Sequence, residues 1–441
     1  MVIKMAELMI KKWNGEKHSE NEKICREEID EMNDPFARQK LINWWDQKKI
    51  ANAKILVAGA GAIGNEQLHN AVLLGFRNIA ICDLDRIELS NLSRTLLFRK
   101  EDEGKKKAEV AAERTRELCL ADDPRIDWFC GDIMYELGSG VFRHFDIILG
   151  CLDNDATRFY IDKQCTMFGR PWINAGISEL SAGLQLFNCK KTGTCFHCGE
   201  SHEAVARVMS RKASCGKTAI EDLKSGKIPT IQVASAIVAG MQAQEAVKYI
   251  CGKQVDWGKN YYYQGSNNTF EVSNTRLDEN CVHHGFTVVN EVAELDNITR
   301  DSTMRELICE AKKRLGIEGA LTVDLSDEQG RDYIKSAYCV YCGNEVEINT
   351  PRYKFKDEMA ICESCKKSTE VGEASEPVTF SVYTFSEEFT DAEILDTPLG
   401  VLGLPPVHVL RVYDEEENEY FVEMTGDLAR IMPNIFGAEE E

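Results

Sequence analysis

ILVAGAGAIGNEQLHNAVLLGF, residues 55–76, decides the fold. Ile55 to Ala58 form a short apolar run of the length expected for a fully buried parallel strand. Gly59-x-Gly61-x-x-Gly64 follows at once, and a helical pattern then runs from Ile63 to about Leu74. In that context one glycine permits a tight turn and one lets backbone N–H groups approach a phosphate. The third lets helix and strand pack closely. Ala62 and Ile63 open a helix whose free N–H groups and positive dipole end face that phosphate. A second apolar strand, Asn78–Cys82, ends in Asp83, where a carboxylate accepts from ribose hydroxyls. The stretch is a nucleotide site, and the glycines alone do not choose the nucleotide.

The composition sets the outer bounds. A chain of 441 residues exceeds one compact core and predicts two or three domains. The net charge of −21 argues against a nucleic-acid binder and against an anionic membrane surface. No apolar run approaches the roughly 18–20 residues that span a bilayer, and the N-terminal residues lack the apolar core of a signal peptide. A cytoplasmic protein is expected. Its 17 cysteines then point to metal sites and reactive thiols rather than to disulfides.

Residues 1–50 form a charged helical arm. Within it, Asp34-Pro35-Phe36-Ala37-Arg38-Gln39 starts a helix whose Leu41, Ile42, Trp44, Trp45 and Ile50 are apolar. Arg38 is either a solvated surface cation or a functional one. After Asp83 the chain reads DLDRIELSNLSRTLLF, placing Asp85, Asn91 and Arg94 in a polar loop, and Lys107 begins a helix over Lys107–Leu118. An Arg and a Lys brought back to a phosphate chain suit phosphoryl or adenylyl transfer. Lysines 105 to 107 also fit a solvated helix start, although cations there oppose the helix dipole unless an anion is close.

Phe145–Gly150 is another buried strand, followed by Cys151-Leu152-Asp153-Asn154-Asp155 at its carboxyl end. Asp153 there can hold Mg²⁺ against phosphates or cap the next helix. Both roles are served if Asp155 is the cap. Cys195-Phe-His-Cys198 and Cys281-Val-His-His284 supply four ligands for a tetrahedral zinc, with His283 an alternative to His284 and a redox motif an alternative to the first pair. Cys339, Cys342, Cys362 and Cys365 make a zinc ribbon. Cys215, in Arg211-Lys-Ala-Ser-Cys-Gly-Lys217, is flanked by cations that favour thiolate, or is an ordinary loop cysteine. A long helix follows over Pro229–Ile250. Five segments are expected: 1–50 an arm, 51–284 the nucleotide domain with its zinc site, 285–335 a connection, 336–370 the ribbon, and 371–441 a small β or α+β module.

These motifs in this order resemble the ThiF/MoeB/HesA superfamily, the adenylation fold shared with ubiquitin-activating enzymes. The resemblance rests on FARQ at 36–39, GAGAIGNE, DLDRIELSNLSR with Lys107, CLDN at 151–154, CFHC, and MQAQEAVKYICG at 241–252. It implies an α/β, Rossmann-like domain with a mostly parallel sheet. It also implies ATP and Mg²⁺ as ligands, alongside Zn²⁺ at the two cysteine-rich sets. Asp83 would hold the ribose, Asn91, Arg94 and Lys107 the triphosphate, Asp153 with Asn154 the Mg²⁺ end, and Arg38 would reach across a homodimer. The implied reaction joins the C-terminal carboxylate of a ubiquitin-like protein to AMP and passes it to Cys215. A sulfur-carrier adenylyltransferase and a non-catalytic carrier-binding subunit are the alternatives. The segment from about 301 onward lies outside the basic fold. It is expected to recruit the carrier or a conjugating partner, so that deletion of 331–441 would leave adenylation partly intact.

Each cysteine-rich set calls for its own metal, so two Zn²⁺ ions are expected rather than one: Cys195, Cys198, Cys281 and His284 for the first, Cys339, Cys342, Cys362 and Cys365 for the second.

Overall fold

The computed structural model describes residues 33–200, 203, 230–281, 289–326, 330–367 and 374–437. The chain divides into a short unit ending at Lys48 and a large unit from Lys49 onward. In the short unit the helix begun by Asp34-Pro35 lasts only from Ala37 to Lys40. Asp34 accepts from the N–H of Phe36 at 2.9 Å and pairs with Lys40, which ties off the turn. Leu41 and Ile42 are exposed, so the continuous apolar helix expected through Ile50 is replaced by two short ones, the second at Gln47–Asn52.

The large unit is built on an eight-stranded sheet. Its strands are β1 (Lys54–Ala58), β2 (Asn78–Cys82), β3 (Arg125–Phe129), β4 (Ile147–Gly150), β5 (Trp172–Ser178), β6 (Ser181–Phe187), β7 (Lys259–Gln264) and β8 (Thr269–Asn274). They lie in the order β3-β2-β1-β4-β5-β6-β7-β8. The first five run parallel, and β6 to β8 add an antiparallel edge. The order reverses at β1, with β2 on one side and β4 on the other. In open α/β sheets that switch point, at the carboxyl ends of the strands, is where ligands bind.

Four long helices serve this sheet: α1 (Ala62–Leu74), α2 (Lys107–Leu118), α3 (Asp155–Met167) and α4 (Gln232–Ile250). Helix α1 stops where Gly75 takes φ 96°, a left-handed conformation that glycine adopts at no steric cost. Strands β1, β2 and β4 are buried along nearly their whole length, because helices cover both faces of a parallel sheet.

A second sheet has the order β14-β10-β15-β16-β9. It comprises β9 (Ala293–Leu295), β10 (Thr322–Asp324), β14 (Thr384–Phe385), β15 (Val409–Tyr413) and β16 (Glu419–Met424), with helix α5 (Met304–Leu315) packed into its core. Thr303 and Glu306 form a capping box at the start of α5. The ribbon strands β11 (Tyr333–Tyr338), β12 (Glu345–Pro351) and β13 (Thr379–Val382) form a third sheet inserted between β10 and β14. The expected boundary between a connection at 285–335 and a module at 371–441 is therefore crossed by one sheet that takes strands from both.

That second sheet is fastened to the nucleotide half. Val407, Val409, Met432 and Ile435 share one buried cluster with Leu137, Val141, Phe142 and Phe145. Gly138 N–H donates to Pro406 O (2.9 Å) and Gly140 N–H to Val407 O (3.0 Å). Asp127, in β3, accepts from the backbone N–H groups of Asn434 (3.2 Å) and Ile435 (2.9 Å). A Cβ at Gly138 would lie 2.1 Å from Val407 O, so only glycine admits this approach. Removal of 331–441 would therefore uncover part of the core of the nucleotide half, so the segment is not packed as a separate module.

Candidate functional site

The glycine loop joins β1 to α1, and its three glycines differ in their surroundings. Gly59 has φ 101°, and a Cβ there would lie 2.5 Å from Cys151 O. A Cβ on Gly64 would lie 2.0 Å from Gly59 O. Gly61 has no neighbour within 4 Å of a built Cβ. Turn, close packing and open approach thus fall to Gly59, Gly64 and Gly61 in turn. Gly61 is also the N-cap of α1 and provides no side-chain cap, so the helix N–H groups beginning at Ala62 and Ile63 face the open space.

Two carboxylates border the loop. Asp83 follows β2, and its oxygens accept from the N–H groups of Ala60 (2.7 Å) and Asp85 (2.8 Å). Burial pushes its pKa up from the ordinary value, against the Lys107 charge and those two hydrogen bonds. Asp85 pairs with Lys107 Nζ at 2.7 Å, and its carbonyl accepts from the Lys107 N–H at 2.9 Å. Lys105 pairs with Asp102 at 2.7 Å, and the Lys106 ammonium sits 5.0 Å from the Trp128 ring centroid. The conflict between three lysines and the start of α2 is thus relieved by local partners.

The loop over residues 89–98 is tied to the glycine loop through Asn65. This fully buried side chain donates to Ala60 O (2.7 Å) and Gly61 O (3.0 Å) and accepts from Leu97 N–H (2.8 Å). Asn91 accepts from the N–H of Glu88 at 3.0 Å, and Arg94 donates back to Ser90 O at 3.0 Å. Across the switch point, Asp153 is exposed and has no hydrogen-bond or ion-pair partner among the described residues. Asn154, rather than Asp155, caps α3, accepting from Thr157 N–H at 2.9 Å. Asp155 instead pairs with Arg158 (2.9 Å), which also donates to Leu152 O at 2.7 Å. Asn65 and Arg158 are site-building residues that sequence reasoning missed. A polar residue at an otherwise apolar helix position was the available signal for Asn65.

The two cysteine sets are assembled. Sulfurs of Cys195 and Cys198 lie 3.7 Å apart and those of Cys195 and Cys281 3.6 Å apart. Zn–S bonds of about 2.3 Å in a tetrahedron require S···S of about 3.8 Å, so these spacings fit a bound metal. Asp162 accepts from Phe196 N–H (2.9 Å) and lies 3.1 Å from His197 Nδ1, holding the loop between the two thiols. Cys339, Cys342, Cys362 and Cys365 converge with all four sulfurs within 4.8 Å of one another. His283, His284 and Cys215 lie outside the described residues. Arg38 is exposed in the short unit.

The ThiF family profile matches residues 36–283, more than half of the chain. The chain belongs to the ThiF family. Among curated relatives, this ThiF-family chain is 40% identical over 151 residues to SUMO-activating enzyme subunit 2 of Dictyostelium discoideum, covering 34% of this chain and 22% of that protein. It is 28% identical over 211 residues to adenylyltransferase and sulfurtransferase uba4 of Emericella nidulans, covering 46% of this chain and 42% of that one. The matched segment thus spans less than half the length of either relative. A crystal structure of Escherichia coli MccB with MccA-N7isoASN aligns at a TM-score of 0.47 and 22% identity, covering 57% of this chain and 75% of that chain. No helix among the described residues is long and apolar enough to cross a membrane.

Proposed function

We propose that this ThiF-family protein uses ATP to activate the C-terminal carboxylate of a small ubiquitin-like protein. The observation that carries the reading is the switch point itself. The switch point offers an uncapped helix N-terminus at an open glycine, the Asp85–Lys107 pair just beyond β2, and the exposed Asp153 just beyond β4. ATP fits as substrate: Gly59 to Gly64 and the first turn of α1 hold phosphates, Asp83 and Asp85 border the ribose, and Asn91, Arg94 and Lys107 neutralise phosphate charge. Asp153, next to Asn154, would hold Mg²⁺, which would supply further charge neutralisation. The carrier carboxylate attacks the α-phosphorus, the bond to pyrophosphate breaks, and an acyl-adenylate forms. Positioning and cation stabilisation do most of the work. Cys215 is the proposed acceptor of the acyl group, and Arg38 the proposed contribution from a second copy in a homodimer. The two cysteine sets would each hold a structural Zn²⁺, with His284 the proposed fourth ligand of the first.

The likeness to a protein named adenylyltransferase and sulfurtransferase supports a second reading, in which the carrier leaves as a thiocarboxylate. Intact-mass measurement after incubation with Mg-ATP and a ubiquitin-like protein ending in glycine separates the two. A thiol-sensitive adduct present in wild type and lost in Cys215→Ala supports thioester transfer. Pyrophosphate release without an adduct supports the sulfur-carrier reading. Absence of carrier-dependent pyrophosphate release overturns both.

A further inference from the structure

Helix α4 carries a buried amide that an apolar helix face does not need. Gln242 is fully buried, among neighbours such as Val238, Ala239 and Ala246. Its Nε2 donates to Gly150 O at 3.1 Å and to Ile173 O at 2.8 Å, the carbonyls of adjacent strands β4 and β5. Two carbonyls can be served only by an NH₂ group, so the amide orientation is dictated by its partners. The remaining Oε1 then faces Cys151 Sγ at 3.4 Å. Burial holds the Cys151 thiol protonated, which suits it as the donor.

These contacts converge on the backbone that leads to Asp153. Gly150 offers its carbonyl to Gln242. Cys151 N–H donates to Ala58 O at 2.8 Å, and Cys151 O abuts Gly59 of the glycine loop. Leu152 O accepts from Arg158. Each of the three residues before Asp153 is therefore tethered, and the tether at Gly150 and Cys151 comes from α4, far along the chain. At its other end α4 holds the glycine-loop helix, through Gln232 Nε2 and Glu66 Oε1 at 2.7 Å.

We infer that Gln242 is a positioning residue that sets the height of the Asp153 loop over the glycine loop, and so governs how Mg²⁺ strengthens ATP binding. The inference rests on the ATP-dependent reading above. Helix α4 packs against β5 and β6, and the Gln242 side chain reaches from it to the last residue of β4 and the second residue of β5. Losing the bridge lets Asp153 drift from the phosphate end while the glycine loop, built from Gly59, Gly61, Gly64 and Asp83, stays intact.

The test is calorimetric titration of the full chain with ATP, in Mg²⁺ and in EDTA, for wild type, Gln242→Met and Cys151→Ala. In wild type, Mg²⁺ tightens ATP binding. In Gln242→Met the affinity in EDTA is unchanged, and the gain from Mg²⁺ shrinks by about tenfold, as one displaced charged contact from Asp153 would cause. Cys151→Ala removes only the thiol bond and loses a smaller part of the gain. Equal losses in both buffers make Gln242 a packing residue and overturn the inference, as does an unchanged Mg²⁺ gain. If Gln242→Met does not fold, Cys151→Ala decides on the same criteria. A wild type that binds ATP without any Mg²⁺ gain overturns the inference and leaves nucleotide binding standing. A wild type that does not bind ATP overturns the adenylation reading itself.

Discussion

Gly61 and Gly64 stand three residues apart in one loop, and alanine at each has opposite consequences. A Cβ on Gly64 would lie 2.0 Å from Gly59 O and 2.8 Å from its carbonyl carbon. Ordinary contact begins near 3.4 Å, so helix and loop must separate by more than 1 Å against backbone that cannot rotate away. Overpacking of this kind costs about 3 kcal/mol, which lowers Tm by about 4 °C in a unit of roughly 400 residues. Gly61 has φ −75° and ψ −151°, and its built Cβ meets nothing within 4 Å. Gly61→Ala therefore keeps its stability to within about 0.5 kcal/mol. Its methyl group instead occupies the space where phosphate meets the first N–H groups of α1, and ATP affinity falls by about tenfold. Thermal unfolding and ATP titration on the two variants read both effects. The reasoning is refuted if Gly61→Ala melts as low as Gly64→Ala, or if folded Gly61→Ala binds ATP as wild type does.

Three further outcomes are expected. Elemental analysis should find two zinc ions per chain, and Cys342→Ser should leave one, because its sulfur is one of four that converge in the ribbon. Asp127→Ala removes a charged acceptor from two backbone N–H groups near the C-terminus and should cost about 2–4 kcal/mol; hydrogen exchange at Ile435 and Phe436 should rise before exchange in β1. His408 is held neutral by burial and by the Arg331 charge, with Nδ1 accepting from Ser139 N–H at 3.2 Å. Its folded pKa lies well below the ordinary 6.5, so the unfolded chain binds the extra proton as pH falls below that value. Stability from this group is full above about pH 6.5 and falls by about 1.4 kcal/mol per pH unit below it. Urea unfolding of wild type and His408→Asn between pH 7 and pH 5 checks this, since the variant should show a shallower decline.

Legibility in the sequence followed how local each cause is. Residues 55–83 were readable because strand, turn and helix signals stand side by side, and the structure has β1, α1 and β2 within a residue or two of those limits. Strand β3 is not legible because Arg125 and Asp127 interrupt its apolar pattern, and Asp127 instead serves a contact with residues near 434. The cap of α3 went to Asn154 rather than Asp155, a choice between neighbouring good caps that composition does not decide. The helix at Ala37–Lys40 ends although apolar spacing continues past its last turn, so its length is not legible in the sequence. Gln242 reads as one more polar residue on a helix, and only its partners on two strands set it apart. The second sheet was hardest, because β9 and β16 pair across more than a hundred residues, with the ribbon between them.

The contact between Asp127 and Ile435 joins positions 308 residues apart. Synthesis at about 5–20 residues per second separates their appearance by roughly 15–60 s. During that interval the nascent nucleotide half has Phe142 and Phe145 without the Met432 and Ile435 that later cover them. Pairings this distant slow folding and prolong exposure of apolar surface. A ribosome stalled late in the message would thus release a chain with its nucleotide loop already made and its hydrophobic underside open, a substrate for chaperones rather than a partial enzyme.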